Sequence, residues 1–163
     1  MSADLPNLPP RPTSLEHEVY LSLQRLALTL SYDAAEFFRA YELSAPQFNI
    51  LRILRGAAEN GAREGLACGE IGERLLAHAP DLTRLLDRMA LQGLVLRTRG
   101  RSDRRVVETQ ITERGLEVLA KLDAPLIELH RRQLGHLGEE RLGALQTLLE
   151  HAQSFNPVQG VLE

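Results

Sequence analysis

The architecture follows from residues 80–115, PDLTRLLDRMALQGLVLRTRGRSDRRVVETQITERG, in a chain of 163 residues. In the first part of this stretch, leucine and methionine side chains recur at i, i+3, i+4 and i+7 from Leu82 to Met89. This spacing predicts a helix that buries one apolar face. Pro80 suits the first turn of that helix, and Gly93 ends it.

After the predicted helix the apolar pattern changes its period. An apolar run begins at Leu94, Gly100 supplies a turn, and then Val107, Thr109 and Ile111 alternate with polar residues. Alternation of this kind is typical of a strand that is buried on one face. The pattern therefore predicts a short β-hairpin.

Three helices are predicted before this stretch. Thr13 and Glu16 form a capping-box pattern ahead of the first helix, and Ser44 and Pro46 mark the start of the second. The third is short and ends at the break His78-Ala79-Pro80. The predicted helices cover about residues 14–41, 45–58 and 69–77.

Two helices are predicted after the hairpin. Thr112 caps the first of them, and Gly138 separates it from the last. The first helix carries leucines spaced 3, 4 and 3 residues apart, which form a seam suited to another helix. That helix could lie in the same subunit or in a partner. The seam residues are Leu119, Leu122, Leu126 and Leu129.

The helix that starts at Pro80 keeps one polar face, made of Asp81, Thr83, Arg84, Asp87 and Arg88. A helix that follows a short helix and a three-residue break has the helix-turn-helix arrangement, in which the second helix enters the DNA major groove. There Arg84 could contact guanine, and Thr83 a thymine methyl or a phosphate. The alternative is a solvated face whose Asp and Arg side chains pair at i, i+3.

The hairpin carries an unusual density of charge. Between residues 97 and 105, nine residues include five arginines and a single acid, Asp103. A DNA backbone would relieve the repulsion between these arginines, and guanidinium groups at a hairpin tip can enter the minor groove. Asp103 is placed to orient Arg105. The alternative is an edge hairpin that charge protects from aggregation.

Five segments in this order resemble the MarR family of transcription regulators. Each segment is weak evidence alone, and the combination is specific. The segments are GEIGERL at 69–75, LTRLLDRM at 82–89, GLV at 93–95, RSDRR at 101–105 and ITERG at 111–115.

The resemblance implies a mainly α fold with a small β-hairpin wing, that is, a winged helix-turn-helix domain plus a helical dimerisation region. It also implies a homodimer whose two recognition helices read successive major grooves of a pseudo-palindrome while the wings reach the minor groove. We expect a flexible N-terminal arm at 1–12, a dimerisation region at 13–44 and 116–163, and a DNA-binding domain at 45–115.

The candidate DNA contacts lie on two elements. On the recognition helix they are Pro80, Asp81, Thr83, Arg84 and Arg88, and on the wing they are Arg99, Arg101, Asp103, Arg104 and Arg105. The resemblance assigns base reading to Thr83 and Arg84, insertion into the minor groove to Arg105 and its support to Asp103. The chain departs from the family at Ala79, where members often carry Ser as the helix N-cap.

The composition limits the classes of protein to which this chain can belong. The net charge of −3 combines a basic segment at 79–115, with eight arginines and five acids, and an acidic remainder. No apolar stretch approaches the 20 or so residues that a membrane span needs, and the Pro-rich start does not fit a secretory signal. We therefore expect a cytoplasmic protein that does not bind membranes.

Enzyme and metal signatures are missing from the sequence. It contains no Gly-rich phosphate loop, no G-x-S-x-G and no H-E-x-x-H motif, and its five histidines show no metal-site spacing. Cys68 is the single cysteine, so it cannot close an internal disulfide. We expect it to be a small buried residue; the alternative is a redox-active thiol at the start of the third helix. We predict a protein without enzymatic activity, cofactor or metal.

Taken together, these features predict a sequence-specific DNA-binding regulator. The resemblance suggests a repressor that a small aromatic or anionic effector releases from DNA. An effector pocket would lie where the first, second and fifth helices meet the winged unit, and Tyr20, Tyr32, Phe37 and Phe48 are candidates to line it or to form core. The effector-binding residues stay unknown. The alternative function is a winged-helix module that binds protein instead of specific DNA.

Overall fold

The computed structural model describes residues 14–62, 64–75, 81–100 and 105–154. The described residues form a mainly α protein with a small antiparallel sheet, which confirms the predicted fold class. Its elements are α1 (Leu15–Arg39), α2 (Ala45–Glu59), β1 (Leu66–Ala67), α3 (Cys68–Arg74), α4 (Leu82–Leu91), β2 (Val95–Arg99), β3 (Val107–Ile111), α5 (Glu113–Leu134) and α6 (Gly138–Ser154), with a 3-10 turn at Gly135–Leu137 before α6.

The chain divides into two compact units, one up to Ala45 and one from Pro46 onward. In the first unit, α1 is capped by Ser14, whose hydroxyl accepts a hydrogen bond from the backbone N–H of His17 at 3.3 Å. The cap therefore lies one residue later than the capping box predicted at Thr13, which is outside the described residues. Phe38 is the one buried residue of this helix.

In the second unit, three strands pair in the order β1-β3-β2, and both pairings are antiparallel. The β2–β3 hairpin is the predicted one. Strand β1 was not predicted, because two residues are too few to show a strand period. It lies against β3 with Leu66 opposite Thr109, and Gly65 precedes it at a φ of +95°.

The core of the second unit is built from apolar side chains of α2, α4 and α5. Leu86 and Met89 of α4 are fully buried, as the predicted apolar face requires. In α5, the seam residues Leu119, Leu122 and Leu126 are buried within this chain. Three of the four seam residues therefore pack within this chain, whereas the fourth, Leu129, is half-buried.

Thr112 joins the wing to α5. Its side-chain oxygen accepts a hydrogen bond from the backbone N–H of Gly115 at 3.1 Å, which makes it the helix N-cap as predicted. The same hydroxyl lies 2.7 Å from the Gly93 carbonyl oxygen and 3.0 Å from that of Leu94, so it can donate to the turn between α4 and β2. One side chain thus ties together three segments around the wing.

The helices of the helix-turn-helix are shorter than predicted. Helix α3 ends at Arg74, because Leu75 already has an extended backbone with a ψ of 138°. Helix α4 begins at Leu82 after Asp81, whose φ and ψ of −112° and 40° are not helical. The N-cap is therefore Asp81, and not Ala79 as the sequence suggested; Ala79 and Pro80 lie outside the described residues.

Candidate nucleic-acid interface

Helix α4 presents a polar face to solvent and an apolar face to the core. On the apolar face Leu85, Leu86 and Met89 are buried and Leu82 is half-buried. The polar residues are all exposed, as predicted: Asp81, Thr83, Arg84, Asp87 and Arg88. Four of the exposed residues, all except Thr83, line an open groove of about 420 Å³. The charged side chains of α4 are thus gathered on one surface that a ligand can reach.

Arg84 is an exposed arginine of this face. Its side chain keeps 82% of its surface exposed, and its Nη1 atom lies 3.8 Å from an Asp81 carboxylate oxygen. An exposed pair at that distance contributes little to stability. The Asp81–Arg84 pair expected for a solvated face is present, yet it leaves most of the guanidinium accessible to a ligand.

Thr83 connects α4 with α3. Its hydroxyl oxygen lies 3.7 Å from the Sγ atom of Cys68, the first residue of α3. Cys68 is half-buried, so the prediction of a buried cysteine is only partly met. The contact places the cysteine directly behind a candidate base-reading residue.

Unlike what we expected for an arginine of the wing, the Arg97 side chain does not extend into solvent. Its side chain is only 15% exposed, and its Nη1 atom donates a hydrogen bond to the Asp87 carboxylate of α4. The guanidinium therefore points from β2 towards the recognition helix. The Arg97 side chain is thus half-buried and bound to a carboxylate of α4.

The described part of the wing carries two candidate contacts. Arg99 is exposed at the end of β2, and Arg105 is exposed in the turn that leads into β3. The hairpin closes through a 2.9 Å hydrogen bond from the Gly100 N–H to the Val106 carbonyl. The predicted contacts Arg101, Asp103 and Arg104 lie outside the described residues, as does Pro80 on the helix side.

Other kinds of site find little support in the described residues. Within them, no group of three His, Cys, Asp or Glu side chains is arranged to hold a metal ion. No helix in the described ranges is both long and apolar enough to cross a membrane. Of the aromatic residues considered for an effector pocket, Tyr20 and Tyr32 are exposed and Phe48 is buried.

Two examples show which polar contacts of the second unit the sequence reasoning missed. The first is the pair of Asp87 and Arg97, for which the alternation of Val95 and Arg97 on one strand face was an available signal. The second joins the buried side chain of Gln47 in α2 to Gln92 after α4, at 3.0 Å. No local pattern indicates a pairing over 45 residues of sequence.

Comparisons with known proteins agree on a single family. A protein-family model described as the MarR family matches residues 43–107. The chain is 30% identical over 128 residues to the HTH-type transcriptional regulator PecS of Dickeya dadantii, a match that covers 78% of this chain and 75% of that protein. It is also similar to the crystal structure of a MarR transcription factor from Planctomyces limnophilus, with 45% identity and a TM-score of 0.65 over 86% of this chain and 98% of the other.

A further similarity concerns the fold alone. A mutant of MarR from E. coli, solved in complex with operator DNA, matches with a TM-score of 0.71 and 21% identity, over 86% of this chain and 99% of that chain. This chain therefore shares its fold with a protein that was solved in complex with operator DNA.

Proposed function

The chain belongs to the MarR family of transcription regulators, and from this premise we propose that it is a cytoplasmic, homodimeric repressor. It binds a pseudo-palindromic operator and leaves it when a small molecule binds. The observation that carries the proposal is the exposed polar face of α4, with Arg84 82% exposed, next to an arginine-bearing hairpin.

Helix α4 supplies the base contacts in this proposal. Arg84 can place its planar fork on guanine O6 and N7, a contact worth about 1 to 3 kcal/mol of discrimination against the wrong base. Thr83, one residue earlier, is exposed and can contact a thymine methyl or a phosphate. Asp81 holds negative charge beside Arg84 and opposes binding where a phosphate is near. Arg88, one turn after Arg84, contacts the backbone.

The wing supplies contacts that depend on charge. Arg99 and Arg105 flank the hairpin turn, and Arg101 and Arg104 add two charges between them in the sequence. Guanidinium groups are attracted to the narrow minor groove by its negative potential. In this proposal Arg105 enters that groove, and Asp103 orients it.

A second copy of the chain is the proposed partner for the apolar surface of the terminal helices. In α1, Leu15, Val19 and Tyr20 keep 72%, 49% and 56% of their surface exposed. Helix α6 has no buried residue, although its leucines line an open groove of about 680 Å³ with Leu134 of α5. Exposed apolar surface of this kind marks association sites. Light scattering should give about twice the chain mass of 18.2 kDa, and a monomer mass would contradict the dimer.

In this proposal a small-molecule ligand releases the dimer from its operator. A small molecule that prefers one conformation of the dimer shifts the population towards it, and DNA affinity falls if the spacing of the two recognition helices changes. Small aromatic carboxylates are suitable probes, because the proposed effector is aromatic or anionic. A decrease in operator affinity on adding such an acid supports this step, and unchanged affinity across a panel contradicts it.

Titration of duplex DNA at several salt concentrations tests DNA binding itself. The duplex carries the sequence upstream of the gene, and the proteins are wild type, Arg84→Ala and Arg105→Ala. Arg84→Ala should relax the preference for the cognate sequence. Arg105→Ala should weaken binding and reduce the slope of log K against log salt by up to about 0.9 for each lost phosphate contact.

A matched control removes an arginine from another part of the chain. Arg39 is exposed at the end of α1 and pairs with Glu36 one turn earlier, so Arg39→Ala should leave both affinity and salt slope unchanged. If no duplex binds, or if the two variants behave like the control, the alternative of a protein-binding winged-helix module replaces the DNA-binding one.

A further inference from the structure

Arg97 lies on the face of the sheet that turns towards the core. Its neighbour two residues earlier on the same face, Val95, is 3% exposed, and its cross-strand partner Thr109 is fully buried. The Arg97 side chain itself is 15% exposed. A long cationic side chain in such surroundings needs a partner, because an unpaired buried charge is costly.

Asp87 of α4 is that partner. The Arg97 Nη1 atom donates to the Asp87 carboxylate, whereas the Arg97 Nε and the Thr109 hydroxyl are buried without a hydrogen-bond partner among the described residues. The position of the guanidinium therefore depends strongly on Asp87. Asp87 is 59% exposed, so the pair reaches from the inner face of the sheet to the surface of the recognition helix.

The pair joins the two elements that carry the candidate DNA contacts. Asp87 follows Arg84 by three residues on α4, and Arg97 precedes Arg99 by two residues on β2. A helix and a paired strand are each stiff, so a link between them sets the distance and angle between the side chains that they carry. A displacement of about 1 Å is enough to reduce binding or rate substantially at a preorganised site.

We propose that Arg97 is a positioning residue, which acts through Asp87 to hold the wing in register with the recognition helix and does not itself contact DNA. The inference rests on the proposed DNA binding and deepens it. It takes Arg97 out of the five hairpin charges that the DNA backbone was expected to neutralise, and it gives the exposed Asp87 carboxylate a role on a surface that faces a polyanion.

The proposal predicts that Asp87→Asn changes DNA affinity in the direction opposite to that expected from charge alone. Asp87→Asn removes a negative charge from the α4 face, so electrostatics alone predicts tighter binding to DNA. If Asp87 holds Arg97, the same substitution weakens binding. We expect a loss of about tenfold, which lies within the range of coupling found for residues in direct contact. Asp81→Asn is the matched control, because Asp81 is an exposed carboxylate on the same face that pairs only weakly with Arg84, and it should bind DNA more tightly than wild type.

A second pair of variants separates positioning from phosphate contact. Arg97→Met and Arg99→Met remove the same charge from positions two residues apart on β2. Both should weaken binding to the upstream duplex. Only Arg99→Met should flatten the plot of log K against log salt, by up to about 0.9, because only Arg99 neutralises a phosphate. Arg97→Lys keeps the charge and should recover part of the affinity that Arg97→Met loses.

Stability is separated from positioning by measuring affinity per active molecule. The active fraction of each variant is determined by stoichiometric titration with DNA, well below its melting temperature. The double variant Asp87→Asn with Arg97→Met should bind no more weakly than the weaker single variant, since both substitutions break the same contact.

Three results would overturn the inference while wild type still binds DNA. They are tighter binding by Asp87→Asn, a salt slope for Arg97→Met as flat as that for Arg99→Met, and melting temperatures that fall while affinity per active molecule stays unchanged. Failure of wild type to bind any duplex refutes the proposed function, and the inference falls with it.

Discussion

Replacing Gly65 by alanine tests how the wing is anchored to the rest of the second unit. Gly65 has a φ of +95°, and a Cβ atom there would lie 2.4 Å from the carbonyl oxygen of Thr109. The neighbour is backbone of the central strand β3, so it cannot rotate away as a side-chain end could. The substitution must therefore move β1, β3 or both.

The magnitude follows from two separate costs. The positive φ costs an alanine about 1 to 2 kcal/mol. Forcing an extra methyl group into a packed site costs about 1 to 3 kcal/mol more. The sum is about 3 kcal/mol, and in a domain of this size each kcal/mol lowers the melting temperature by about 2 to 4 °C. We therefore expect Gly65→Ala to melt about 10 °C below wild type.

Two other glycines provide matched controls. Gly61 has a similar φ of +91° but nothing within 4 Å of its Cβ position, so Gly61→Ala isolates the backbone cost and should lower the melting temperature by about 5 °C. Gly56 lies inside α2 with open space around it and an ordinary φ, so Gly56→Ala should raise the melting temperature by about 2 °C. Melting followed by far-UV circular dichroism at one protein concentration compares the three variants.

The same series reports on function. If the wing moves with β3, DNA affinity per active molecule falls in Gly65→Ala and stays at the wild-type value in Gly61→Ala. Equal melting temperatures for Gly65→Ala and Gly61→Ala would refute the reasoning, because the close approach to Thr109 would then have no energetic consequence.

Three further variants test individual contacts. Thr112→Val removes the α5 cap and should cost about 1 to 2 kcal/mol in denaturant unfolding, whereas Thr112→Ser keeps the hydroxyl and should lose much less. Arg55 donates two hydrogen bonds to Asp123, at 2.8 and 3.3 Å, and this carboxylate raises the pKa of the guanidinium. Asp123→Asn removes the negative charge and one of the two acceptor oxygens; because the pair is partly exposed, we expect a cost of only about 0.5 to 1 kcal/mol. A hydrogen bond from the Ser14 side chain lowers the pKa of Glu16. The Glu16 carboxylate therefore stabilises α1 above its ordinary pKa, and this stabilisation is lost as the pH falls through the lowered pKa. An acid titration followed by circular dichroism should show the loss in wild type and not in Glu16→Gln.

Periodic features of the sequence predicted the fold well. The leucine and methionine spacing of α4 gave the buried face because a helix of any context must bury such a stripe. The strand alternation gave the hairpin, and Thr112 was correctly identified as the α5 cap because a local hydrogen bond decides it. Features of the fold that depend on local geometry could therefore be predicted from the sequence.

Helix starts were less accurate where several capping residues stand together. Thr13 and Ser14 are both good N-caps, and the structure uses Ser14. At α4 the start moves to Leu82 behind Asp81, although Pro80 is also suited to a first turn. Helices that start at neighbouring capping residues differ in free energy by only a fraction of a kcal/mol, so tertiary packing decides which residue is the N-cap.

Features that depend on distant partners were not predictable. Strand β1 exists only because it pairs with β3, more than 40 residues later in the chain. The leucine seam of α5 did not say whether its partner helix belongs to the same subunit. Arg97 was counted with the wing charges, because its alternation with Val95 indicates the strand face on which it lies but does not identify Asp87 as its partner. In each case the missing information was the arrangement of two elements in space.

Footprinting of the dimer on DNA from upstream of its gene tests the central claim most directly. The account predicts two protected major-groove segments about one helical turn apart, from the two α4 helices, with minor-groove protection outside them from the wings. Arg84→Ala should lose the major-groove protection first, and Arg105→Ala the minor-groove protection. Uniform protection that follows no sequence, or none at concentrations where the dimer is intact, would contradict the account.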